Sequence, residues 1–217
     1  MWREWGRGMV WPEPEWAEHG GPSLVAEGIF ATTPIATPDG WRLAAELTTG
    51  AQVMTFDEGT QPVIQAQAFA LVDATPDLWP LRVPAWAMDN REELTLLPEQ
   101  KVLIEADAAD DLYGDPFALI PARALEGWRG IARCRPPMMS AAVQLRFARH
   151  QVIYASRGVL LSCSGGSLAE ADWRAAPYSS YSLAQARHLL ACLMAEDVGA
   201  ALRDAGQRHF ARSGPRV

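Results

Sequence analysis

Between residues 24 and 163 apolar and polar positions change places every few residues, and the apolar runs are short. "AQVMTF", residues 51–56, alternates before the turn "DEGTQP". Val53 faces one side and Met54 the other, so this strand reads as buried on both faces. "VIQAQAFALV", residues 63–72, is long enough for a strand that bends or crosses between sheets. After the prolines at 76, 80 and 84 come "ELTLL", "KVLI", "FALIPA", "AVQLRF", "QVIYA" and "GVLLSC", each bounded by turn-forming residues. Short runs of this kind predict strands. No helical pattern of about 10–15 residues separates them, so a doubly wound parallel sheet is a poor fit. "PARALEG", residues 121–127, is the one internal helical turn, opened by Pro121 and closed by Gly127. The pattern is that of an all-β protein of short antiparallel strands.

The period changes at Ser182. In "SLAQARHLLACLMAEDVGAALRDAG", Leu183, Ala186, Leu190, Leu193, Val198, Ala201 and Leu202 fall near one face at helical spacing. Ser182 and Gln185 fit a capping box and Gly206 supplies a stop, which predicts a helix over residues 182–205. Gly199 weakens it through backbone entropy. The apolar face needs a surface. Docking on the β-body gives a monomer, which is favoured; pairing with a second copy through this helix gives a homodimer. His188, beside Arg187, reads as a surface or boundary histidine. At the other end, Trp2, Trp5, Trp11 and Trp16 form no stripe, and Pro12 and Pro14 would interrupt one. Residues 1–23 are therefore expected to be an irregular tail whose tryptophans pack on the protein's own body. Residues 24–168 form the β domain, and residues 169–217 a C-terminal extension that carries the helix.

Charge narrows the classes of partner. The formal charge is -7 over 217 residues. Lys101 is the lone lysine, the arginines are scattered, and acidic groups gather at "EADAADD", residues 105–111. Nucleic acid, which selects a concentrated basic face, is not expected as a partner. No run approaches the roughly 18–20 apolar residues of a membrane helix, so no membrane is expected either. The first residues lack an apolar core and a small-residue cleavage site, which makes the cytoplasm the default; export without a recognisable signal peptide stays open. Cys134, Cys163 and Cys192 lie about 30 residues apart, a spacing of neither paired zinc ligands nor a dense disulfide framework. Neither a metal nor a cofactor is expected. A metal or redox role would require these thiols and His150 to converge in space.

Several stretches, in order, resemble the Hint domains of hedgehog proteins and inteins, most nearly the bacterial type common in alphaproteobacteria. "TPIATPDG", "LAAEL" and "VMTFDEGTQPV" match the opening turn, the segment after it and the strand with its turn. "LPEQKVLI", residues 97–104, is similar to the family's Ser-Pro-x-His-Arg-Val-Leu-Leu. "LYGDPFALIPA", residues 112–122, and "RHQVIYASRG", residues 149–158, match two later segments. The resemblance covers about residues 24–168 and implies a Hint-like horseshoe of short antiparallel strands.

It also implies a site. Autoprocessing in that family starts with an acyl shift, in which a thiol or hydroxyl on the domain's first residue attacks the preceding carbonyl. The position matching that residue is Gly28, and Ile29, Phe30 and Ala31 carry no nucleophile. The histidine of the family's Thr/Ser-x-x-His motif corresponds to Gln100, and its hydroxyl residue to Leu97. Glutamine forms hydrogen bonds but carries no proton at neutral pH. A looser alignment sets Gln144 against a further histidine. His150 keeps the family's residue and reads as a hydrogen-bonding group at a strand's start. Thr32 and Thr33 would supply a hydroxyl only if the alignment slipped by several residues. The expectation is a catalytically inactive Hint-like domain with a structural or protein-interaction role and a protein partner of unknown identity. The alternative is a self-processing domain acting through an unrecognised nucleophile. Gly28, Leu97, Gln100, Gln144 and His150 around one pocket would fit a vacated site.

Overall fold

The structure, a computed structural model, describes residues 27–71, 75–136, 140–166 and 177–212, with side chains as far as 203. The expectations for residues 1–23, with Trp2, Trp5, Trp11 and Trp16, and for the boundary at 168 fall outside these residues.

Short apolar runs broken by turns give short strands. The chain opens with β1 (Ile29–Phe30), β2 (Pro34–Thr37) and β3 (Gly40–Leu43), then β4 (Gln52–Met54), β5 (Thr60–Pro62) and β6 (Gln65–Ala70). β7 (Leu81–Val83) and β8 (Leu94–Leu96) precede β9 (Lys101–Glu105), the helix α1 (Asp107–Tyr113) and β10 (Phe117–Pro121). β11 (Ala132–Arg133), β12 (Ala141–Arg146), β13 (Gln151–Ala155) and β14 (Val159–Cys163) follow. The last elements are β15 (Ser179–Ser180) and α2 (Leu183–Arg212).

Two larger sheets carry the body. One runs β11-β7-β8-β1-β12-β6, the other β15-β10-β9-β14-β13-β2-β3, and β4 pairs with β5 alone. Neither order returns to its first strand, so neither sheet closes into a barrel. Every ladder is antiparallel except β10 with β15. β7 shows period two, with Leu81 and Val83 buried around exposed Arg82. Val102, Leu103 and Ile104 of β9 are all buried, as suits a central strand covered on both faces. One large apolar cluster fills the space shared by the sheets. Two small ones lie on outer faces: Phe30, Leu97 and Ala142 under Phe69 and Leu71, and Leu103, Leu119 and Val152 under Phe56, Phe117 and Tyr178.

Several details differ from expectation. Val53 is buried but Met54 is exposed, so β4 is an ordinary half-buried strand. β6 stays in one sheet, at its edge, and does not cross. "EADAADDLY" contains α1, whose acidic first turn suits the helix dipole and whose left-handed Gly114 ends it. Residues Ala122–Leu125 form the expected turn as a 3-10 helix.

α2 starts as a capping box: Gln185 N–H donates to Ser182 Oγ at 3.3 Å, and Ser182 N–H to Gln185 Oε1 at 3.0 Å. It runs through Gly206, which is not a stop; one interior glycine costs only about 1 kcal/mol, and no proline follows before Pro215. The buried face is Ala186, Leu189 and Leu190, with Leu183 and Leu193 partly covered. Val198 and Leu202, expected on that face, are exposed. Docking ends at a clamp, where Arg129 donates to both Asp197 oxygens at 2.8 and 2.7 Å and Trp128 Nε1–H adds a bond of 3.0 Å. His188 is near the surface, its Nδ1 3.4 Å from the Tyr113 hydroxyl.

Candidate functional site

β1 lies between β8 and β12, with Ile29 opposite both Leu96 and Val143. That register sets Gly28 beside the turn after β8. There the Gln100 N–H donates to Leu97 O at 3.1 Å, and the chain leaves the first sheet for β9 of the second. A cleft opens at this crossing. It encloses about 300 Å³ counting its solvent mouth, and Glu27, Gly28, Gln100, Gln144, Arg146, Ser162 and Cys163 are among its lining residues.

Three of the five residues singled out in the sequence thus share one lining. Leu97 packs beneath it, in the small cluster with Phe30 and Ala142; a Cβ on Gly28 would lie 3.6 Å from its Cδ1. His150 reaches the cleft through Ser162, with Nε2 2.8 Å from Ser162 Oγ. Thr32 and Thr33 are outside the lining, Thr32 exposed and Thr33 buried.

Gly28 has φ +144°, a conformation that side chains other than glycine's rarely adopt. The space is adequate, since a Cβ would make only ordinary contacts with Val143 O, Ala142 Cβ and Leu97 Cδ1. The constraint is in the backbone. Gln100 is only 1% exposed, and its Nε2 donates to Ser162 O at 2.9 Å and Lys101 O at 3.0 Å. Its amide therefore bridges the start of β9 to β14, satisfying two carbonyls at the floor of the cleft.

The far wall is the β13–β14 hairpin, in which Gln151 pairs with Cys163. His150 sits just before β13, where its backbone passes so close to Gly165 that any Cβ there would collide with Arg149 and His150. Loss of water and the Lys101 charge push the His150 pKa below its ordinary value, against a smaller opposite pull from Asp57. The imidazole is neutral at pH 7. Its Nδ1 is buried with no partner among the described residues, and none of their carboxylates orients the ring.

Burial drives the Cys163 thiol far above its ordinary pKa, and the Glu27 charge adds to this, so the thiolate is suppressed. Glu27 is exposed as a residue, yet enough protein surrounds its carboxylate to raise its pKa. Lys101 and Arg146 oppose that rise, and Glu99 adds a little to it. Cys134, Cys163 and Cys192 are all free thiols. Among the described residues no three His, Cys, Asp or Glu side chains converge as a metal site.

Sequence reasoning missed Glu27 and Ser162, and weighed Cys163 only as one of three thiols for a metal or redox role. Ser162 lies near the end of "GVLLSC", a run that reads as a strand; the signal available was the tight hairpin that returns it to His150.

No helix among the described residues is long and apolar enough to cross a membrane. Among solved structures, the bacterial intein-like domain from Clostridium thermocellum is similar at 11% identity and a TM-score of 0.46, over 62% of this chain and 97% of that one. A variant of the MchDnaB-1 intein is similar at 13% identity and 0.41, over 62% and 98%. The gp41-1 intein is similar at 9% identity and 0.39, over 61% and 96%. No curated protein matches. The family profile described as Hint domain matches residues 28–161, from Gly28 through Leu161 of β14. A match of that extent covers more than half of the 217 residues, and the chain belongs to the Hint domain family.

Proposed function

We propose that this Hint-like domain is catalytically inactive and serves a structural or protein-interaction role. Gly28 carries the reading. The acyl shift needs a thiol or hydroxyl at that position, and Gly28 offers only hydrogen in a conformation suited to glycine. Without that nucleophile no ester forms, and intramolecular positioning has nothing to position. Gln100 supports the same conclusion, because its amide donates to two carbonyls and has no proton to give a leaving amine. General acid catalysis of that kind is typically worth about 10²–10⁴ in rate. The test is the intact mass of the full chain after long incubation with thiol, which should not change.

One observation favours a second reading. Ser162 Oγ lies 2.8 Å from a neutral imidazole, the only such hydroxyl–histidine pair among the cleft's described residues. In this reading Ser162 Oγ attacks a peptide carbonyl, its proton passes to His150 Nε2 and then to the departing amine, and an ester remains. The unpartnered Nδ1 weakens it, since among the described residues no side chain bonds the ring there and only the small pull of Asp57 favours the imidazolium. Cleavage in the wild type that disappears in Ser162→Ala would establish this reading in place of the first.

A further inference from the structure

Among the described residues both larger sheets end in unpaired edges, and a strand edge presents free N–H and C=O groups to any chain that can add to it. Three of the four ends are protected. β15 and β11 are two residues long, and β11 and β3 carry Arg133 and Arg42. The fourth, β6, is different. It has six residues, "QAQAFA", with no charge, no proline and an unbroken one-to-one register with β12 from Gln65–Arg146 to Ala70–Ala141. Among the described residues nothing pairs with its other side.

The direction of its backbone groups follows from the ladder. Leu71 N–H donates to Ser140 O at 2.8 Å, so by alternation Phe69, Gln67 and Gln65 exchange bonds with β12. Ala66, Ala68 and Ala70 then point their N–H and C=O groups outward. All three are alanines, whose side chains do not hinder another backbone.

We propose that β6 is a self-association edge, at which two copies of this chain pair antiparallel about a two-fold axis at Ala68. In that register Ala66 lies opposite the second copy's Ala70, and Gln67 opposite its Phe69. About six backbone hydrogen bonds form, and the first sheet continues into its partner. The occupant is a second copy because the edge is self-complementary and uncharged. A chain of net charge -7 repels its copies elsewhere, but no like charges meet here. A foreign partner would find no charge on the strand to select it. The inference does not depend on whether the cleft is active.

The interface is small, so association should be weak and is best read at protein concentrations of about 10–500 µM. Sedimentation equilibrium of the full chain should show a reversible monomer–dimer equilibrium, with amide exchange at Ala66, Ala68 and Ala70 slowing as concentration rises. Ala68→Lys puts two like charges on the axis and should raise the dissociation constant at least tenfold. Ala68→Pro removes an outward N–H without touching the β12 ladder, and should abolish the dimer with the fold retained. A wild type that stays monomeric throughout this range would overturn the proposal. So would a dimer that survives both substitutions, which would place the contact elsewhere, for instance on the exposed Val198 and Leu202 of α2. Concentration-independent protection of those three amides would show another segment of the same chain on the edge, and would also overturn it.

Discussion

The two walls of the cleft differ in what they offer the reaction considered above. At the Gly28 wall the backbone lies at the first residue of the family match, but no side chain offers a nucleophile, and Gln100 ties its amide to Ser162 O and Lys101 O. At the hairpin wall there are reactive atoms, Ser162 Oγ and Cys163 Sγ, yet burial suppresses the thiolate and leaves the neighbouring imidazole without an orienting partner. One wall has position without chemistry; the other has chemical groups without activation. On the reading proposed above, the fold keeps the geometry of a site that no longer reacts, because the same contacts hold the sheets together.

The largest effect should come from cutting the tie between the walls. Gln100→Leu removes the amide N–H that reaches Ser162 O and Lys101 O at the crossing, and should cost about 2–4 kcal/mol in urea unfolding. A loss below about 0.5 kcal/mol would mean that the amide does not join the walls. Gly28→Ala comes next. Its Cβ fits, but φ +144° does not suit it, so the expected cost is about 1–3 kcal/mol from backbone strain. The same strain burdens Gly28→Cys in any attempt to restore the reaction.

Much of the fold was legible, and the reasons are local. "KVLI" and "QVIYA" are continuous apolar runs between turns, which is what central strands look like. α1 was not legible, because seven residues give under two turns of period and the acidic cluster masks the buried Ala108 and Ala109. Val198 and Leu202 of α2 keep the apolar spacing but are exposed among the described residues, and periodicity cannot report where a docking surface ends. In the cleft, Gln100 was singled out only through the resemblance of "LPEQKVLI" to a family motif. Its bond to Ser162 spans 62 residues and depends on which strands become neighbours, which no short pattern states.

Smaller effects separate the walls by pH. The His150 pKa is lowered on folding, so the unfolded chain takes up its proton first as pH falls through 6.5. Stability should therefore decline as pH falls from 6.5 towards the folded value, and His150→Gln should flatten that decline. The Glu27 pKa is raised, so the sign reverses: stability is lost as pH rises from 4.5 through the folded value. Glu27→Gln should remove this second slope. It should be the smallest effect of all, since Lys101 and Arg146 already oppose the burial of that carboxylate. Unfolding midpoints between pH 4 and pH 8 on the two variants read both slopes, and slopes of equal sign would contradict the assignment of the two walls.

The central claim is that the Gly28 wall has no working nucleophile. Intact-mass spectrometry of the full wild-type chain, incubated with and without thiol at neutral pH, tests it most directly. The account predicts a single species at the full-length mass under both conditions. Fragments that part between Glu27 and Gly28 would contradict it.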